Sequence, residues 1–338
     1  ENVTFFFFLQ LSGEDIIFTI KSIKIPFVDS QALRNYFDDV KSVELVDGNK
    51  FKVKFTMSKP YFRVIYSLGE MKITPKHILD PNNMTDKFTW DMIADAQKTI
   101  DNKKYADMQK FADFLNSQDV ARGAKYLIAT GPYKFEKWAT GQAITLVRND
   151  NYWNKSNKPN YASKIIYKII QDQNAAVVAA KNKEVDYMFV IQPADFYQNV
   201  TNPEQFNIKK AIVLEPSYVY ISWNNDKPLF KDKKVRWALS YAIDRQSIID
   251  KLLFSAAVPI SSHIFYKSKF INDKLPSIPF DLEKSKQLLD EAGWKDTDGD
   301  GIRDKIVDGK KMDFKFTFIN NNNPKRKKVM LIIIESLK

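Results

Sequence analysis

Gly131-Pro132-Tyr133-Lys134-Phe135-Glu136-Lys137-Trp138 is the point at which this chain turns from helix-forming to strand-forming sequence. Tyr133 to Trp138, Ile144 to Arg148 and Ile165 to Ile170 carry the aromatic and β-branched residues that favour strands, and Gly141 supplies a turn between the first two. A β-rich unit therefore begins near Gly131. Upstream, Ser12-Gly13-Glu14-Asp15 sets a hydroxyl and an acid three residues on ahead of Ile16, Ile17, Ile20 and Ile23, so a helix starts at Ser12. Val43 to Val46 and Phe51 to Phe55 flank Asp47-Gly48 and predict a hairpin with one buried face. Residues 82 to about 125 read as helical packing and connection.

Downstream, Asn174 is expected to cap a helix running to Ala180, and Val185 to Ile191 and Tyr218 to Trp223 read as two further strands. After Pro228 the signals are helical: Asp232, Asp244 and Asp281 each precede an apolar-periodic stretch, and Gly293 ends the last of these. Helix and strand segments mix without regular alternation, which predicts mixed α+β lobes of the α/β class.

Composition excludes several chemistries. The chain has 338 residues, 44% of them hydrophobic and 14% aromatic, enough for real cores. No apolar run approaches the roughly 20 residues of a membrane helix; Phe5 to Leu9 and Met330 to Ile334 are the longest. No secretory signal pattern is present, so export information is expected upstream of Glu1 or not at all. With no cysteine and two histidines, His77 and His263, disulfides, thiolate nucleophiles and Cys/His zinc sites are ruled out. Neither histidine lies near a Gly-x-Ser-x-Gly elbow, and the 10 glycines form no phosphate-cradling loop. The formal charge of +11 is spread along the chain, and its densest run, Lys325-Arg326-Lys327-Lys328, lacks stacking aromatics. No nucleic-acid partner is expected.

Eight short segments, in order between residues 11 and 305, resemble the family 5 solute-binding proteins, which include oligopeptide, dipeptide and nickel binders. They are Leu11 to Phe18, Ile73-Thr74-Pro75-Lys76-His77-Ile78, Ala129 to Trp138, Arg148-Asn149-Asp150-Asn151-Tyr152-Trp153, Glu184-Val185-Asp186, Asn224 to Phe230, Val235 to Arg245 and Ser285 to Trp294. Two departures stand out. Lys183 takes the place of the family's usual glycine, and Ser261-Ser262-His263-Ile264-Phe265 replaces a proline-rich loop near the pocket.

The resemblance implies a periplasmic-binding-protein-like fold, two lobes with a hinge, in a type II-like cluster with an extra domain. It implies a partial extra domain with connecting helices over residues 1–120, the β-rich part of lobe I over 121–226, and a partial second lobe over 227–338, both ends being expected to be cut. The implied function is extracytoplasmic capture of an oligopeptide or other small solute for an ABC importer permease, without catalysis. Membrane association would come only through an N-terminal signal or lipid anchor outside this span, placing the protein in the periplasm or anchored at the cell surface as a lipoprotein. The alternatives are a chaperone or adhesin role on the same fold, or a carboxylate-dependent hydrolase.

Ligand contacts implied by the resemblance are Phe189, Ile191 and Gln192 in one loop, Tyr220 and Ser222 on one strand, Phe254 at a helix end, and His263. Tyr218, Tyr220 and Ser222 share a face by period two, which suits either a cleft wall or a core. No cofactor is expected apart from a weak calcium ion. Asp296, Asp298, Asp300 and Asp304 fall at positions one, three, five and nine of a calcium loop with Gly301 at six, but Val307 stands at twelve where a bidentate glutamate is needed.

Overall fold

The computed structural model describes residues 11–60, 64–157, 159, 161–189, 192–272, 274–321 and 323–337. The chain packs as two compact units, one up to Ile169 and one from Ile170. That division falls inside the 121–226 segment rather than at either of its ends.

Unit one is built around helix α1 (Gly13–Lys24). The Asp15 carboxylate reaches back to the Ser12 backbone N–H at 2.8 Å, closing the helix start in the manner of a capping box. The Ser12 hydroxyl donates to the same carboxylate. On one side of α1, Ile20 and the flanking Ile16, Ile17 and Ile23 pack on strands β1 (Val40–Val46) and β2 (Asn49–Met57) through Val40, Val43, Val53 and Phe55. Asp47 and Gly48 join the strands with φ of 51° and 68°, the left-handed pair that a two-residue hairpin of matching twist requires. On its other side Phe18 and Ile25 meet helices α2 (Trp90–Lys98) and α3 (Ala106–Leu115) through Ile93, Met108 and Phe111.

Strands β3 (Tyr133–Ala139), β4 (Ala143–Arg148) and β5 (Lys164–Lys168) then form an antiparallel meander in that order. Cross-strand register groups Phe135, Leu146 and Ile165 on one face and Lys134, Val147 and Lys164 on the other.

Unit two begins with helix α4 (Gln173–Lys181). Its cap is Asp172, which accepts from the Ala175 N–H at 2.8 Å, not Asn174, which lies inside the first turn. The carboxylate two residues earlier reaches the N3 donor that Asn174 cannot reach from within the helix. Helices α5 (Lys233–Tyr241), α6 (Arg245–Leu253) and α7 (Leu282–Glu291) are capped by Asp232, Asp244 and Asp281 as expected. Gly293, with φ of 82°, ends α7. Leu229, Phe230, Val235, Leu239, Leu289 and Trp294 form the core, extended by Trp223, Phe314 and Phe316. A hairpin of β6 (Asp304–Val307) and β7 (Lys310–Asp313) and a final helix α8 (Pro324–Leu337) complete the unit.

Two expected strands are not formed. Residues 185–189 and 218–223 have no regular secondary structure, and residues 190 and 191 lie outside the described residues. A strand exists only by pairing with another, and the sheets among the described residues are those of β1–β2, β3–β4–β5 and β6–β7. The side chains of 218–223 carry strand propensity, but none of the ladders among the described residues takes them in.

Candidate functional site

The candidate residues all belong to unit two. Gln192 opens a turn in which its carbonyl accepts the Asp195 N–H at 3.0 Å, and the turn continues as one π-type coil over Asp195–Asn199. Tyr197 projects from that coil and stacks on Phe254, with ring centroids 5.4 Å apart and planes 22° apart. Phe254 closes α6 in the left-handed region, φ 51°, and Ser255 follows at 57°. Non-glycine residues adopt this conformation at a cost that the surroundings must offset, and such positions concentrate at binding sites. The structure thus brings the Gln192 turn and the Phe254 helix end together, with Tyr197 as the link. Sequence reasoning missed Tyr197; its spacing from Phe254 along the chain carries no periodic signal.

The other expected residues stand apart from this pair. Phe189 is exposed, and Ile191 lies outside the described residues. In the stretch 218–223, Ile221 packs beside Ile243, Ile248 and Ile333, and Trp223 joins the main core. Tyr220, at 71% exposure, and Ser222 point to solvent. The face that could have been core is therefore open in this chain. Tyr218 and Tyr220 form a tilted ring pair 5.6 Å apart. His263 is exposed in a turn after α6.

The aspartate loop closes on itself. Asp296 accepts the N–H groups of Gly299 at 2.7 Å and Gly301 at 3.0 Å, and Asp300 accepts that of Ile302 at 2.8 Å. Asp304, buried, accepts from the Thr297 N–H at 3.0 Å and the Thr297 hydroxyl at 2.7 Å. Carboxylate oxygens of Asp296, Asp298 and Asp304 lie within 4.8 Å of one another, and Asp300 stays outside the group. Lys311 pairs with Asp298 and reaches Asp304 at 3.6 Å. A lysine ammonium already supplies positive charge to the cluster. Its hydrogen bond holds Asp298 below the usual carboxylate range, and the Thr297 hydrogen bonds do the same for Asp304.

Unit one carries a polar depression of about 380 Å³ lined by Ser12, Glu14, Asp15, Lys76, His77 and Asp80. Its charged groups are consumed structurally: Asp15 accepts the Lys76 N–H at 2.9 Å, Lys76 pairs with Asp86 at 2.7 Å, and Asp80 caps Met84, Thr85 and the Thr85 hydroxyl. With its carboxylates already committed, it is a braced corner of the fold.

Comparison with known proteins gives one family. Residues 10–338 match the family model for bacterial extracellular solute-binding proteins, family 5. The chain is 35% identical over 337 residues to the oligopeptide-binding protein AppA of Bacillus subtilis, covering 97% of this chain and 53% of that protein. It is similar to the structure of AppA from Bacillus subtilis in complex with a nonapeptide, with TM-score 0.66, 32% identity and coverage of 97% of this chain and 57% of that one. It is similar, too, to NikZ from Campylobacter jejuni in complex with Ni(L-His), with TM-score 0.66, 27% identity and coverage of 96% and 56%. The chain thus spans about half the length of these relatives. No helix among the described residues is long and apolar enough to cross a membrane.

Proposed function

This chain belongs to the bacterial extracellular solute-binding proteins of family 5, and from that premise we propose that it captures a peptide-like solute outside the cytoplasm and delivers it to an ABC importer. The observation that carries the reading is the likeness, along 97% of this chain, to about half of an oligopeptide-binding protein whose structure holds a nonapeptide. Two aromatic pairs of unit two support it, with Tyr197, Tyr218 and Tyr220 exposed and Phe254 half-buried. Tyr197 with Phe254, and Tyr218 with Tyr220, offer flat apolar surfaces with hydroxyl handles, which suit an extended peptide. The donor set favours a peptide over a bare metal ion, since cysteine is absent and both histidines are exposed.

The partner would be the importer's permease, and the location periplasmic or lipid-anchored at the cell surface. The family is one of solute-binding proteins, and absence of turnover in this chain is part of the proposal. The aspartate loop is best supported as a turn closed by Lys311; calcium at most competes with that lysine for Asp298 and Asp304.

The test is a thermal-shift screen of a version extended to the relatives' length, against mixed oligopeptides, nickel–histidine and sugars. A solute that binds only the folded state stabilises it by about 2.7 kcal/mol at a hundred times its Kd. Stabilisation by peptides is the expected result. Stabilisation by none, or turnover of esterase, peptidase or glycosidase substrates that a single carboxylate substitution abolishes, counts against the reading.

A further inference from the structure

The β3–β4–β5 meander has two unlike faces. Phe135, Leu146 and Ile165 stand opposite one another on the first and are half-buried. The second carries Lys134 and Lys137 of β3 and Lys164 and Lys168 of β5, on either side of Thr145 and Val147 of β4. Residues paired across neighbouring strands share a face, so the register alone places these four lysines on one side of the sheet. All four are exposed. With neighbouring strands about 4.8 Å apart, the two lysine rows lie about 10 Å apart. Glu136 is the only acid in the three strands, and it pairs with Lys164 at 3.2 Å.

Apolar and aromatic side chains accompany this charge. Ile166, between Lys164 and Lys168 on the same face, is 60% exposed. The connection from β4 to β5 leaves the sheet at the end where Lys134 and Lys164 stand, and it carries the exposed Trp153 and Tyr161. Trp and Tyr favour the headgroup level of a bilayer, and a lysine stem reaches past a shorter apolar neighbour to set its ammonium on a phosphate.

We propose that the lysine face of the meander docks on an anionic lipid surface, a contact that goes beyond solute capture and is additional to any anchor. An open face with lysines in two rows presents them together to a charged plane, each contributing roughly fivefold in affinity, and the attraction fades within a Debye length. A soluble polyanion could pair with the same lysines. It would gain nothing from Ile166, Trp153 or Tyr161, and these favour the lipid surface.

The test is flotation of this chain with vesicles of phosphatidylglycerol and phosphatidylcholine, which separates lipid-bound from self-associated protein. The chain should float with the anionic vesicles at low salt and not with phosphatidylcholine alone, and binding should fall as salt rises. The combined substitutions Lys134→Gln, Lys137→Gln, Lys164→Gln and Lys168→Gln should weaken binding a hundredfold or more. The charge-matched set Lys325→Gln, Arg326→Gln, Lys327→Gln and Lys328→Gln, in the densest basic run of the sequence, should weaken it less than tenfold. Should the first set fail to fold, Lys134→Gln with Lys137→Gln should still weaken binding tenfold or more. Absence of flotation with anionic vesicles, equal losses in the two charge-matched sets, or lysine-dependent binding of soluble polyphosphate in place of vesicles overturns the proposal and leaves solute capture standing.

Discussion

Lys21 and Lys24 point inward from α1, each within a tenth of full burial. Lys21 donates to the Thr85 carbonyl at 2.8 Å and lies 5.7 Å from the Trp90 ring centre, and Lys24 donates to the Phe37 carbonyl at 3.1 Å. Loss of solvation on burial holds both ammonium groups below their usual 10.5, with the acids around them compensating only in part. In the unfolded chain they titrate normally, so just below pH 10.5 the unfolded state binds more protons than the folded one. Stability must therefore rise with pH in that window. The urea midpoint of the wild type is expected to climb as pH approaches 10.5 from neutral, and that of a Lys21→Met, Lys24→Met double variant to climb less; equal slopes would show that these lysines carry no such strain. The isoleucine stripe of α1 was legible from periodicity, but the inward lysines were not, because their acceptors are backbone carbonyls brought close only by the fold. The same holds for Tyr197. In the extended version Tyr197→Ala should weaken solute binding by about 1–3 kcal/mol, since it removes an aromatic anchor. Tyr220→Ala, at an exposed position, should change urea stability by less than about 0.5 kcal/mol. A loss of several kcal/mol from Tyr220→Ala would mean that its ring is core after all.

Contact between elements decides how α1 meets its hairpin. A Cβ added at Gly13 would come within 2.5 Å of Leu45 Cδ2 and 2.7 Å of Val53 Cγ1. Leu45 can swing aside, but Val53 is β-branched and stiff. Gly13→Ala should accordingly cost about 1–3 kcal/mol in urea unfolding, the usual penalty of overpacking, despite alanine's better helix propensity. A neutral or stabilising effect would show that the hairpin yields freely. Elements whose signals are local were readable in advance: the Asp47-Gly48 turn, the Asp232, Asp244 and Asp281 caps, and the alternation in β2 at Val53 and Phe55, though not at Phe51, which is exposed instead of facing the core. At α4 the choice between Asn174 and Asp172 depended on where the first helical turn begins, which side-chain pattern leaves open by a residue or two.

Across the whole molecule, the mixed helix-and-sheet class and the family were legible because many short motifs fall in the right order, each of them local. The strands expected at 185–191 and 218–223 required pairing partners as well as propensity, and propensity cannot provide a partner. The consequence for this chain is a long stretch, residues 207–223, without regular structure, in which Val213 is 82% exposed and Val219 is 72% exposed, beside Ile212, Leu214 and Tyr220. Apolar, β-branched residues with open backbone donors and acceptors are the usual template for edge-to-edge association. The net charge of +11 opposes association at low salt, but a Debye length of about 10 Å at 0.1 M confines that repulsion to short range. This chain on its own should then self-associate increasingly as salt is raised, as read by light scattering and size exclusion. Val213→Lys with Val219→Lys should suppress the effect by placing charges within the apolar run, while leaving the cooperative unfolding of unit two unchanged, because neither side chain is part of its core. Association that persists undiminished in the double variant would place the sticky surface elsewhere, with the apolar face of the β3–β4–β5 meander, Phe135, Leu146 and Ile165, as the next segment to charge.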